Sequence, residues 1–155
     1  MDIPVHLRHR PTSNGLVVPI ATPRTPEGRF RFGLLADEHQ RALLVEHRCQ
    51  ICGSPLGNRL ILFARPADLR LACTSEPALC PPCAAYSTRA CPMLAGRMAR
   101  YRDRPSDDLR QRPADDWFAV WLADYRVVVH PARPQVLAAS WLDHEPLTIR
   151  PIPPR

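Results

Sequence analysis

Residues 47–57 read HRCQICGSPLG and residues 80–92 read CPPCAAYSTRACP. Each stretch carries a C-x2-C pair, Cys49/Cys52 and Cys80/Cys83, with 27 residues between Cys52 and Cys80. A tight turn places two such thiolates on one ion. Two turns complete a tetrahedron with zinc–sulfur bonds of about 2.3 Å. Gly53 stands where the first turn calls for a residue that tolerates positive φ and lets backbone amides face sulfur. The second pair has different local chemistry. Pro81 and Pro82 suit the first positions of a helix, where a missing N–H costs nothing. Cys80 then becomes the N-cap and Cys83 falls in the first turn, where the helix dipole and the amides of Cys83 and Ala84 favour a thiolate.

Knuckle, strand or hairpin, then helix start is the order of a treble-clef-like zinc module. The expected fold class is therefore α+β, a small module with short helices flanked by antiparallel β strands. The candidate metal ligands are Cys49, Cys52, Cys80 and Cys83, with Zn2+ as the cofactor; iron in a rubredoxin-like site would use the same four.

Other readings draw on the same cysteines. Structural disulfides need an oxidising compartment. A redox dithiol at CPPC needs a strand leading directly into the motif, and the preceding TSEPAL is loop-like. Cys91 lies eight residues beyond Cys83, about 12 Å along a helix axis, too far to share the ion, and reads as a packed end before Pro92. Cys73, in an expected loop, either replaces a ligand or is packed. His47 reads as a helix-end histidine favoured by the dipole rather than a ligand.

Outward from these motifs, ADEHQRALLVEHR predicts a helix over about 38–47, with Asp37 as cap and Gln40 completing a capping box. LILFA (60–64), bounded by Asn58 and Pro66, reads as a buried strand. LVVPI (16–20) is interrupted by proline and reads as an edge strand or extended arm. WFAVWLADYRVVVHP and VLAASWLDHEPLTIRPI suggest three short antiparallel strands, with Trp117, Trp121 and Trp141 in the core. The expected organisation is a Pro/Arg-rich arm over 1–28, the helix and zinc module over 29–95, a charged linker over 96–116, a β segment over 117–150 packing on the module, and a tail over 151–155.

The 155 residues suffice for one domain, or for a small domain with a second sub-core. No apolar run approaches eighteen residues, so no membrane span is expected. MDIPVHLRHRP has no apolar core of a secretory signal, which makes the cytoplasm the expected location. All 21 basic residues are Arg, and the formal net charge is +6. That charge permits a phosphate-bearing or acidic partner, although GC-rich codons explain the Arg and Pro excess equally well.

The elements C-x2-C-G-x-P-L-G and S-E-P…C-A-x-Y-S-x-R-A-C-P, spread between about Val18 and Met98, resemble a family of small Cys-rich actinobacterial and phage-associated proteins, some loosely described as envelope biogenesis proteins. Its members place either Cys or His at the position of Cys80. The resemblance thus implies a metal-ligating role for Cys49, Cys52, Cys80 and Cys83, since a zinc site tolerates that exchange and a redox dithiol does not. It implies no activity.

No P-loop, GxGxxG, HExxH or Ser/His/Asp order is present, and a four-thiolate zinc site is closed, hence structural. The sequence points to a zinc-binding adaptor module rather than an enzyme, with nucleic acid or an acidic protein as partner. Arg97, Arg100, Tyr101, Arg102 and Arg104 are the candidate nucleic-acid contacts, in a stretch of mixed charge that also reads as a solvated linker. The alternative is a thiol-redox or metal-dependent enzyme using Cys80 and Cys83.

Overall fold

A computed structural model describes residues 2–31, 35–91 and 116–153. Its organising element is the LILFA strand, β3 (Leu60–Ala64), buried at all five positions. An unbroken apolar run is the signature of a strand covered on both faces. Side chains alternate along a strand, so Ile61 and Phe63 join one core with Leu79, Tyr86 and Trp117, while Leu60, Leu62 and Ala64 join a second with Leu44, Val120, Leu122 and Trp141. Two sub-cores therefore share one strand, and the cysteine pairs border the first.

Among the described residues there are three α-helices and two antiparallel three-stranded sheets. In the first sheet β5 (Trp117–Leu122) lies between β3 and β8 (Thr148–Ile152), with Leu62 opposite Val120 and Val120 opposite Ile149. In the second, β7 (Arg133–Ser140) lies between β4 (Cys73–Thr74) and β6 (Arg126–His130). The C-terminal region thus forms four strands in two sheets rather than the expected three, and β8 runs two residues past position 150. Cys73, expected in a loop, is buried in β4 opposite Ser140.

Helix α1 spans Asp37–Glu46. The expected capping box does not form. Ala36 is the N-cap, with no side-chain cap, and the Gln40 amide instead donates to the carbonyls of Ser75 (2.9 Å) and Leu137 (2.8 Å). A buried amide bonded to two carbonyls distant in sequence ties α1 to the second sheet more firmly than a solvated cap would. The helix ends at His47 with φ +53°, an uncommon conformation for a non-glycine. Its ring stacks on Tyr125 at 4.3 Å and lies 3.3 Å from the Asp124 carboxylate, while the Tyr125 hydroxyl donates to Leu44 O. These contacts hold the turn that delivers the chain into Cys49.

A second helix, α2 (Pro66–Leu71), follows β3 directly. Pro66 starts it instead of merely ending the strand, and the nearly buried Asp68 accepts from the backbone N–H of Arg65 (2.8 Å). Helix α3 spans Pro81–Ala90 with Cys80 as N-cap, as expected from the two prolines.

The N-terminal stretch packs against the first core. Asn14 and Gly15, both at positive φ, turn β1 (Thr12–Ser13) into β2 (Leu16–Val17), the Asn-Gly hairpin. Leu7, Val17 and Val18 are buried, and the Val17 N–H donates to the Tyr86 hydroxyl of α3 at 3.0 Å.

Candidate metal centre

The knuckle is built by backbone bonds within residues 47–56. Gly53 N–H donates to Cys49 O (2.8 Å), Cys49 N–H to Ser54 O (2.9 Å), and Leu56 N–H to His47 O (2.9 Å). Gly53 carries φ +76°, and a Cβ built there would lie 2.8 Å from Ile20 Cδ1. The left-handed φ calls for glycine, and the end of the Ile20 side chain would have to shift to admit a Cβ.

The knuckle is then fixed against the second half-site. Gln50 N–H donates to Ala78 O (3.0 Å), and its side chain donates to Pro77 O. Leu79 and Ile61 exchange two backbone bonds of 2.9 Å each, which docks the segment entering α3 onto β3. From the other side, Ile20 N–H and Ala21 N–H donate to Ile51 O (3.1 Å) and Gln50 O (3.2 Å). The knuckle is thus held between the N-terminal stretch and the strand-to-helix segment.

These constraints bring Cys49, Cys52, Cys80 and Cys83 together, with all four sulfurs within 4.8 Å of one another. Zinc–sulfur bonds of about 2.3 Å in a tetrahedron require edges of about 3.8 Å, and the Cys52–Cys80 separation is 3.9 Å. The donor set and its spacing suit a metal such as zinc. Cys49 and Cys83 are buried, while Cys52 and Cys80 are partly exposed. Hydrogen bonds from the Cys49 and Cys83 thiols hold Cys80 down at about 4. Hydrogen bonding with Cys49 and Cys80, then burial, pushes Cys83 up. Protons shared among close sulfurs are what a cation displaces on binding.

A fifth group was invisible to motif reading. A 3₁₀ turn at Val5–Leu7, anchored by the buried Leu7, sets His6 Nε2 3.5 Å from Cys83 Sγ. The ring is placed to donate an N–H to the sulfur, the kind of outer contact that steadies a metal ligand. His6 precedes Cys49 by 43 residues, and no ligand spacing marks it.

The remaining candidates lie elsewhere. Cys91 caps the C-terminal end of α3, with its N–H on Ser87 O, and packs on the first core outside the four-sulfur group. Cys73 is also outside it, and burial, then the Asp68 charge, pushes its thiol up. The His47 ring is occupied by Tyr125 and Asp124. Arg97, Arg100, Tyr101, Arg102 and Arg104 lie outside the described residues. No family model, curated protein or solved structure matches the chain. The reading of the site therefore rests on its own geometry. No helix among the described residues is long and apolar enough to cross a membrane.

Proposed function

We propose that Cys49, Cys52, Cys80 and Cys83 hold one zinc ion in a closed structural site, and that the domain is a binding or adaptor module for nucleic acid or an acidic protein. The observation that carries this reading is the meeting of four sulfurs, two from a knuckle and two from a helix start, within 4.8 Å. The ion would cross-link segments that are remote in sequence, and four protein ligands would leave no coordination position for substrate. The Ile61–Leu79 bridge supports a treble-clef-like reading, because it supplies the hairpin pairing between knuckle and helix, with α2 and β4 inserted in its loop. Six free thiols fit a reducing cytoplasm. Membership of the actinobacterial and phage-associated family belongs to the same proposal.

Elemental analysis with thiol titration tests it. One zinc per chain is expected. Serine at any of the four positions should abolish stoichiometric zinc, whereas Cys73→Ser and Cys91→Ser keep it. A metal-free protein that cycles between a Cys80–Cys83 disulfide and dithiol would replace this reading with thiol-redox chemistry. Salt-dependent retention on DNA or RNA, lost on changing Arg97, Arg100, Arg102 and Arg104 to Ala, tests the charged segment as a contact.

A further inference from the structure

Ile20, whose side chain abuts Gly53 of the knuckle, also forms one wall of an open groove of about 450 Å³. Arg10, Pro19, Thr22, Arg24, Phe30 and His39 line the rest, with no acidic residue among the lining. Two arginines and a histidine thus border a common space whose described wall contains no carboxylate. A volume of this size is that of a small-molecule site.

Two further observations show the cations to be ordered. Arg10 Nη2 donates to Val18 O at 3.2 Å, which fixes its guanidinium beside the groove. Arg24 is held by a short hairpin: Thr25 N–H donates to Arg29 O (2.7 Å), Gly28 N–H donates to Thr25 O (2.9 Å), and Arg24 bridges Phe30. Its guanidinium lies 4.3 Å above the centre of the Phe30 ring. Stacking of this kind orders the group while leaving its in-plane N–H donors free.

We propose that this groove binds a phosphoryl oxyanion, with Arg10 and Arg24 as its principal donors and Thr22 and His39 beside them. Planar guanidiniums match phosphate oxygens two at a time, and the space beyond the ion accommodates the group that carries it. The groove's own residues, and not the metal reading, carry the assignment of the ion. Only the source of the phosphoryl group, a nucleic-acid backbone or a free phosphorylated small molecule, rests on the binding-module reading.

The test is calorimetric titration of the full zinc-loaded chain with inorganic phosphate at constant ionic strength, repeated on Arg24→Ala and Arg10→Gln. Saturable binding in the millimolar range, weakened tenfold or more by each substitution at unchanged zinc content, is expected. Arg24 is exposed, so its variant tests the site even where Arg10→Gln disturbs the hairpin it anchors. Absence of saturable binding, or binding indifferent to Arg24→Ala, overturns the assignment. A single-stranded oligonucleotide that binds and is displaced by phosphate identifies a nucleic-acid backbone as the source; a mononucleotide that competes where the oligonucleotide does not bind identifies a small molecule. Zinc measured on the same samples separates failure of the groove from failure of the metal site.

Discussion

Replacing His6 with alanine isolates one contact of the metal centre. Four thiolates around a divalent cation leave a net charge of about −2 on the cluster, and Cys49 and Cys83 are 0% exposed. Water cannot reach those two sulfurs, so fixed donors must solvate the charge. His6 Nε2, 3.5 Å from Cys83 Sγ, is placed to serve as one in the tautomer that carries its proton there. Loss of an outer partner typically costs 10- to 100-fold in metal affinity, or about 1.4–2.8 kcal/mol. The contact is long and the ring exposed, which puts His6→Ala at the lower end, about tenfold.

Competition against a chromophoric chelator measures that factor, and the sulfur-to-metal charge-transfer band of the Co2+-loaded protein reports on the four thiolates together, so its shift in His6→Ala registers loss of the contact to one of them. His6→Gln, which keeps a side-chain N–H, should recover part of the loss. Leu7→Ala is the contrasting variant: Leu7 is 0% exposed, and its truncation should cost about 2–5 kcal/mol of stability, lowering the melting temperature as well as metal affinity. An affinity for His6→Ala within twofold of the native value, or His6→Gln no better than alanine, would refute the argument.

Gly53→Ala should destabilise the zinc-loaded protein by about 1–2 kcal/mol in denaturant unfolding, the cost of a side chain in the left-handed region. The close approach to Ile20 adds little because Ile20 Cδ1 ends a flexible side chain, so Gly53→Ala with Ile20→Ala should stay close to Gly53→Ala alone; full recovery would mean that contact, and not φ, sets the requirement. His130 gives a pH dependence. It is buried, its Nδ1 accepts the Ala132 N–H at 3.1 Å, and burial, then the Arg133 charge, lowers its pKa. The unfolded chain therefore takes up a proton first as pH falls below about 6.5. The stability from a neutral His130 is complete above that value and is lost toward its folded pKa, at no more than about 1.4 kcal/mol per pH unit. Thermal unfolding between pH 7.5 and 5.5 should show a shallower decline for His130→Gln than for the native chain, and parallel declines would exclude His130 as a source.

How far the sequence could be read depended on the distance over which each signal acts. The tight turn after Cys49, the Pro81–Pro82 helix start and the buried LILFA strand are local patterns, and each forms as read. Gln40 misled because its amide partners lie 35 and 97 residues away, and a capping box weighs only contacts within a turn. The extra helix after Pro66 escaped because proline closes a strand and opens a helix equally well. Asn14–Gly15 is a local hairpin signal that acts immediately before LVVPI, and it sets β1 against β2 despite the proline that follows. His6 could not be found at all, since its place beside Cys83 is set by the burial of Leu7 and by strand and hairpin contacts spread over the first 21 residues.

The same long-range contacts join the two candidate sites. Ile20 and Ala21 donate backbone bonds to Ile51 and Gln50 of the knuckle, while Arg10, Ile20 and Thr22, from the same stretch, line the groove. If the four sulfurs hold a metal and the groove a phosphoryl group, as proposed, loosening of the knuckle on metal loss would slacken the wall that carries Arg10. The two affinities would then be linked reciprocally: the factor by which the metal tightens phosphate would be the factor by which phosphate tightens the metal. A closed four-sulfur site has no open position for chemistry, yet through Ile20 and Ala21 it can still decide whether the adjoining surface is organised to bind. On this geometry a bound metal would act on the groove through the N-terminal stretch, without touching what the groove holds.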